Sequence, residues 1–162
     1  MIQQVDITDT ILGMLSTNLW IIKRQTNGLT HEDSLLQLPF RGNCLNWVLG
    51  HIIEGRDRML KLIGETPLLT DEQTTWYVRD SQPVINGDYA LRLETLLGYI
   101  QTMQDTLTER LATIPKDDLL ATPRDSEESV LEKLHGLAWH ETYHVGQTEI
   151  LRQLAGTNDK VI

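Results

Sequence analysis

Apolar side chains recur at three- and four-residue steps along four long segments, the spacing of helices with a buried face. These segments cover about residues 7–26, 44–63 and 89–113, and a fourth that runs from 127 or 129 to 155. The second segment is apolar on more than one face, so we expect it near the centre of the fold. No segment alternates apolar and polar residues as a strand does. The pattern predicts an all-α fold, a four-helix bundle formed by the whole chain as a single domain of residues 1–162.

Side chains that can cap a helix precede each of the four segments. The predicted N-terminal caps are Asp6 (with Thr8 or Asp9 as alternatives), Asn43, Asp88 and Ser129. Ser129 and Glu132 together fit a capping box, although Asp125 or Ser126 could start the fourth helix earlier. Glycine or proline marks the C-terminal ends of three segments, at Gly64, Pro115 and Gly156.

Long connectors separate the first three predicted helices. They cover residues 28–43 and 65–87, and the second connector contains a possible short helix at residues 71–73. Connectors of this length can cross the bundle, so a simple up-down-up-down order does not follow from the sequence.

Composition narrows the class of protein. The chain has 162 residues, of which 40% are hydrophobic and 23% charged, as is usual for a soluble globular protein. Its net charge of -9 disfavours a nucleic-acid partner, which requires a basic surface. No apolar run approaches the roughly 20 residues that span a bilayer. The first six residues lack the features of a signal peptide, and the single Cys44 cannot form an intrachain disulfide, so we expect a cytoplasmic protein without membrane partners.

The sequence HETYH at residues 140–144 carries the candidate chemistry. Two histidines four residues apart on a helix lie about 40° apart around the axis and about 6 Å apart along it. His140 and His144 fall on the apolar face of their helix, where a buried imidazole needs a hydrogen bond or a metal. His51 points inward from the second helix in the same way. Three imidazoles with an open position form a catalytic or exchangeable metal site, although imidazole alone does not choose among zinc, iron, nickel and copper.

The same pattern, HExxH, also occurs in zinc proteases. The long protease motif would require glycine at 147 and histidine at 150, where this chain has Gln147 and Ile150. No predicted strand is present to bind an extended peptide. A protease is therefore disfavoured, and the third metal ligand is expected upstream of the motif. His135 lies about 140° around the helix from His140, so we expect it on the surface.

Two segments resemble the motifs of a known family, the DinB/YfiT-like superfamily. NWVLGHIIE at residues 46–54 resembles the family's second-helix motif, and HETYHVGQ at residues 140–147, continuing to LRQLAG, resembles its last-helix motif. The length and the order of helices also agree over nearly the whole chain. The resemblance implies a four-helix bundle that holds a divalent metal through three histidines. Carried over to this sequence, the ligands are His51, His140 and His144.

The resemblance also implies a class of reaction. Characterised relatives include thiol-dependent transferases and isomerases that use a metal-bound low-molecular-weight thiol, such as bacillithiol or mycothiol. The resemblance also implies that homodimers are common. The expectation is therefore a metal-dependent enzyme that activates a thiol, or water, for transfer to a small electrophilic substrate. Three alternatives remain open: a metal-dependent hydrolase of small amides or esters, a non-catalytic metal-binding stress-response dimer, and a polar histidine core without metal.

Three charged residues near the predicted ligands are candidate catalytic residues: Glu54, Arg58 and Glu141. Glu54 follows His51 by one turn and could accept a proton or orient a ligand, while Arg58 follows by two turns and could bind a carboxylate. Their spacing is equally consistent with a surface ion pair between Glu54 and Arg58. Glu141 could orient a ligand, act as a base, or face a partner helix.

Overall fold

A computed structural model describes residues 6–85, 87 and 89–157, and within these residues the regular structure consists of seven helices and no strand. The all-α prediction is therefore confirmed. The four long helices are α1 (Ile7–Thr26), α3 (Leu45–Leu62), α5 (Leu93–Thr113) and α7 (Val130–Leu154). The short helices are α2 (His31–Ser34), α4 (Asp71–Tyr77) and α6 (Lys116–Leu120).

Two of the predicted helix caps are confirmed. The side chain of Asp6 accepts a hydrogen bond from the N–H of Thr8 at 3.0 Å at the start of α1. At the start of α7, Ser129 Oγ accepts from the N–H of Glu132 at 3.3 Å, and the Glu132 carboxylate accepts from the N–H of Ser129 at 2.8 Å. The short helix predicted in the second connector is also present, as α4.

One predicted helix cap and one predicted helix start are wrong. The N-cap of α3 is Cys44 rather than Asn43, and its side chain makes no capping hydrogen bond. Helix α5 begins four residues later than the pattern predicts. The reason is a tertiary contact, because the N–H of Leu91 donates to the hydroxyl of Tyr77 at 2.9 Å instead of entering a helix. The predicted cap Asp88 lies outside the described residues.

The long helices pack in the order α1, α7, α3, α5 around the bundle. Helices α1 and α7 are parallel, since Asn18 bonds Thr142 near the middle of the pair while the carbonyl of Gln25 bonds Arg152 near its end. Helices α1 and α5 run in opposite directions. The first two long helices in the sequence, α1 and α3, therefore lie diagonally across the bundle from each other.

Helices α3 and α5 are also parallel to each other. Asn46 at the start of α3 bonds the carbonyl of Leu91, and Arg110 near the end of α5 bonds the carbonyl of Ile63. Two consecutive parallel helices require the chain between them to return along the bundle, which is the role of residues 63–92. The order is thus up-down-down-up, so the crossover left open by the sequence is present.

Apolar side chains from all four long helices fill the core. Leu15, Leu49, Ile100 and Leu134, one from each helix, are completely buried. The buried faces agree with the periodicity, except that Ile7 at the start of α1 is exposed. Within the described part of the chain, no helix has the length and apolar character needed to cross a membrane.

Candidate metal centre

Three imidazole rings from α3 and α7 meet inside the bundle. The Nε2 atom of His140 lies 3.1 Å from Nε2 of His51 and 3.2 Å from Nε2 of His144. One ligand nitrogen from each ring lies within 4.8 Å of the other two. Tetrahedral zinc, with Zn–N distances of about 2.0–2.1 Å, holds its ligand nitrogens roughly 3.4 Å apart. Two of the three separations are close to this value, and the cluster could hold one ion.

Hydrogen bonds on the far side of two rings fix which nitrogen faces the centre. Nδ1 of His51 lies 2.7 Å from the carbonyl oxygen of Tyr77, and Nδ1 of His144 lies 2.7 Å from Oε1 of Gln147. Both partners are acceptors, so each Nδ1 carries the proton and each Nε2 carries a lone pair. This is the tautomer that a metal-bound histidine requires, held by the kind of acceptor that usually supports it.

The three nitrogens together favour a cation between them. His51 and His144 aim lone pairs at the same point, and His140 can donate at most one proton to them. A divalent transition metal would satisfy all three nitrogens at once, and three neutral imidazoles suit zinc, iron or nickel. Among the described residues, no carboxylate or thiol joins this ligand cluster, so an ion held here would retain open positions.

Burial keeps the histidines in their metal-binding form. The pKa of His51 is lowered to about 4, mainly by desolvation and to a smaller extent by the neighbouring imidazoles of His144 and His140. Desolvation is also the main cause that lowers the pKa values of His140 and His144. Because only neutral imidazole binds a metal, all three side chains are ready to bind at neutral pH.

A cavity of about 1050 Å³ opens above the three rings. Its wall includes Trp47, whose ring stacks on His51 with 4.7 Å between ring centroids and whose Nε1–H donates to Ser81 Oγ at 2.8 Å. Tyr143, which is 59% exposed, also forms part of the wall. The histidines are therefore accessible to a small molecule through a partly aromatic cavity.

Two of the three candidate catalytic residues line this cavity: Glu54 and Arg58. Oε2 of Glu54 lies 4.0 Å from Nδ1 of His51, and burial raises the pKa of Glu54. Arg58 is exposed, and within the described residues it forms neither a hydrogen bond nor an ion pair. The surface ion pair that the spacing allowed between Glu54 and Arg58 is therefore not formed.

The third candidate, Glu141, lies elsewhere. Its side chain is 3% exposed and its two carboxylate oxygens accept hydrogen bonds from Arg56, each at 2.8 Å. Glu141 is not part of the cavity wall. Of the roles considered for this residue, facing a partner helix is the one that the structure shows, because its position on α7 directs it toward α3 and α1 rather than toward the cavity.

Sequence reasoning missed two buried residues near the centre. Arg56 is completely buried, and a sequence signal existed, since it is a charge within a segment that is apolar on more than one face. Tyr77 supplies the acceptor for His51 from a connector, and no local pattern marks it. Gln147, which the sequence analysis considered only for its departure from the protease motif, accepts a hydrogen bond from His144. His135 is exposed as predicted.

Comparison with known protein families matches residues 23–148 to the DinB superfamily. The matched region includes all three histidines and most of the chain. Comparison with curated proteins gives no match. The helical fold and the possible three-histidine metal site agree with this assignment, and the chain belongs to the DinB superfamily.

Proposed function

We propose that the protein is a metal-dependent enzyme that activates a low-molecular-weight thiol, or water, for transfer to a small electrophilic substrate. The convergence of three Nε2 atoms below an accessible cavity carries this proposal. When bound, a divalent metal lowers the pKa of a thiol or water ligand and thereby supplies a nucleophile near neutral pH. The metal ligands in this proposal are His51, His140 and His144.

The size of the cavity favours thiol transfer over simple hydrolysis. Sites for one small ligand usually measure about 300–1,000 Å³, and this cavity of about 1050 Å³ is at the upper end. It therefore has room for a thiol cosubstrate beside an electrophile, whereas hydrolysis of a small amide or ester needs space for one substrate and water. Hydrolysis is the second candidate reaction.

Glu54 is the proposed proton acceptor in this site. It lines the cavity beside His51, and burial raises the pKa of its carboxyl group above the usual value. A carboxylate with a raised pKa holds a proton more readily than an exposed one. Glu54 would accept the proton that a thiol or water loses on activation.

Arg58 is the proposed anchor for an anionic group on the substrate. Its side chain lines the cavity and forms no hydrogen bond or ion pair among the described residues, and Arg79 also lines the wall. Of the acidic residues on the wall, Glu132 is already bonded to Ser129 at the start of α7. A guanidinium so placed binds a carboxylate or phosphate through paired hydrogen bonds.

The first test is metal content. Elemental mass spectrometry on untagged protein should find about one transition-metal ion per chain, and the His51→Ala variant should lose it. His135→Ala is the matched control, because it removes an exposed histidine of α7 outside the cluster. Background metal in all three proteins, after reconstitution with zinc, nickel and iron, would overturn the proposed metal centre.

The second test is turnover. Metal-loaded protein is assayed with a panel of thiols and electrophiles, and with small amides and esters, beside a metal-free sample. Arg58→Ala should raise KM for anionic substrates, while Arg124→Ala, an exposed arginine outside the cavity, should leave it unchanged. Metal binding without turnover on any of these substrates would contradict the enzymatic proposal and favour a non-catalytic metal-binding protein.

We also propose that two copies associate through the outer face of α7. Trp139, Tyr143 and Ile150 are 57–61% exposed there, and their spacing places them on one stripe of the helix. An exposed apolar patch of this kind is typical of an interaction surface. Sedimentation analysis should show a dimer that Trp139→Lys dissociates, and a wild-type protein that stays monomeric at all concentrations would contradict this.

A further inference from the structure

A buried ion pair lies behind the histidines, on the side of α7 away from the cavity. Arg56 of α3 is 0% exposed and Glu141 of α7 is 3% exposed. The Nε–H and Nη2–H groups of Arg56 donate to the two oxygens of Glu141, both at 2.8 Å. Paired hydrogen bonds of this kind fix direction as well as distance, because two planar groups must face each other.

The same two side chains also bind the other two long helices. Arg56 Nη1 donates to the carbonyl of Ile100 in α5 at 2.9 Å, and Nη2 approaches the carbonyl of Leu15 in α1 at 3.4 Å. Oε1 of Glu141 accepts a further bond from Nδ2 of Asn18 in α1 at 3.2 Å. One guanidinium therefore connects all four long helices at a single level of the bundle.

Stability alone is a weak explanation for this pair. Desolvating two charges is costly, and replacing a buried ion pair with apolar residues of similar size is often neutral or stabilising. An apolar pair, however, restricts rotation about the helix axis only through packing and lacks the directional hydrogen bonds of a paired guanidinium and carboxylate. What Arg56 and Glu141 supply beyond packing is orientation.

Orientation of α7 matters because two of the histidines are on this helix. Glu141 is adjacent to His140 in sequence and lies about 60° around the helix from His144. A ring nitrogen lies roughly 6 Å from the axis, so a rotation of α7 by about 10° moves it by about 1 Å. Metal–ligand distances tolerate only about 0.2 Å. A small rotation of α7 would thus separate His140 and His144 from His51.

We propose that the Arg56–Glu141 pair is a positioning element that fixes the rotation of α7 against α3 and thereby sets the geometry of the three-histidine centre. The inference rests on the proposed binding of a metal by these histidines. Neither side chain touches the cavity or the ligand nitrogens. Arg56 and Glu141 are therefore positioning residues rather than catalytic ones.

The double variant Arg56→Met with Glu141→Leu tests this role. It removes both charges together and keeps similar volume, and Asn18 retains its bond to Thr142 at 3.1 Å. We expect it to fold with no loss of stability but to bind zinc about 10–100-fold more weakly, the range seen when support of a ligand is lost. The visible absorption of the cobalt-loaded protein should also change, because it reports the coordination geometry.

Leu111→Ala is the matched control for destabilisation. Leu111 is 5% exposed in the last turns of α5 and is not part of the cavity wall. It should lower the stability of the metal-free protein while leaving zinc affinity within twofold of wild type and the cobalt spectrum unchanged. A folded double variant with wild-type affinity and spectrum would overturn the positioning role.

Two further measurements keep the inference separate from the metal proposal. If the double variant does not fold, Glu141→Gln is measured in the same way, and wild-type affinity and spectrum there would overturn the inference. If the wild-type protein binds no metal, the positioning role is tested by comparing the histidine side-chain ¹⁵N chemical shifts of the metal-free wild type and the double variant. Positioning predicts fixed Nδ1–H tautomers at His51 and His144 in wild type and averaged tautomers in the variant, and identical shifts would contradict it.

Discussion

Replacing Gln147 with alanine isolates the contribution of one supporting hydrogen bond to metal affinity. In the structure, Oε1 of Gln147 lies 2.7 Å from Nδ1 of His144, three residues earlier on the same helix. The variant removes this acceptor without changing a ligand or a residue of the cavity wall. His144 then loses the contact that holds its proton on Nδ1 and its ring in place.

The magnitude follows from what can replace the lost acceptor. Loss of an outer partner of a metal-bound histidine typically weakens metal binding about 10–100-fold, which corresponds to about 1.4–2.8 kcal/mol. Gln147 is half-buried and its neighbour Gly146 is exposed, so water can reach Nδ1 of His144 in the variant. Water preserves part of the hydrogen bond, and we therefore expect a loss close to tenfold.

Competition with a chromophoric zinc chelator measures this change directly. Gln153→Ala is the matched control, since it makes the same substitution at an exposed position of α7 and should bind zinc as wild type does. Gln147→Glu should bind at least as tightly as wild type, because a carboxylate accepts the Nδ1 proton more strongly. Zinc affinity within twofold of wild type in Gln147→Ala would refute the supporting role of this side chain.

Three further predictions concern stability and reactivity. Gly50→Ala should destabilise the protein by about 1–3 kcal/mol in thermal or urea denaturation, because its Cβ would overlap the ring of Tyr77, whereas Gly98→Ala, with open space around it, should stabilise α5. Cys44 should resist iodoacetamide in the native protein and react fully in urea, because it is 1% exposed and burial raises its pKa. The metal-free protein should lose stability as the pH falls from 6.5 toward 4, by up to about 1.4 kcal/mol per pH unit. The pKa of His51 is about 4 when folded against 6.5 when unfolded, so the unfolded chain binds more protons in this range. His51→Ala should therefore show a smaller slope.

The parts of the fold and site that the sequence predicts are those in which a residue's own helix determines its environment. The spacing of His140 and His144 places both on the apolar face of α7, and His51 lies on a buried face of α3 for the same reason. Helical periodicity is sufficient there, because burial on one face repeats at a fixed interval. The start of α7 was also predictable, since Ser129 and Glu132 form a local capping box.

The parts that the sequence does not predict depend on contacts between distant residues. Glu141 and Arg56 are separated by 85 positions, so the sequence alone left Glu141 with three possible roles. Helix α5 begins late because the N–H of Leu91 donates to the hydroxyl of Tyr77. The apolar spacing alone predicts a helix that continues through Leu91. Each case requires knowledge of which elements are neighbours, and the crossover order of the bundle is what makes them neighbours.

The crossover also connects the fold to the metal centre. Parallel packing of α3 and α5 forces the chain to return through residues 63–92, and α4 lies in this return. Tyr77 ends α4, and its hydroxyl donates to Asn46 at 3.1 Å and accepts from the N–H of Leu91 at 2.9 Å, while its carbonyl accepts from His51 at 2.7 Å. The connector that the topology requires is thus also the support of a metal ligand.

Metal binding should therefore order this connector as well as the bundle. A bound metal stabilises states in which Nδ1 of His51 is bonded to the carbonyl of Tyr77, and local opening of α4 breaks that bond. We expect amide hydrogen exchange in α4 to slow on zinc loading, by at least the factor seen in the adjoining turns of α3. In α6, which contributes no residue to the cavity wall and no hydrogen bond to the histidines, exchange should change less. Unchanged exchange in α4 together with slowed exchange around His51 would show that the ligand is held without the connector, and that the crossover serves the fold alone.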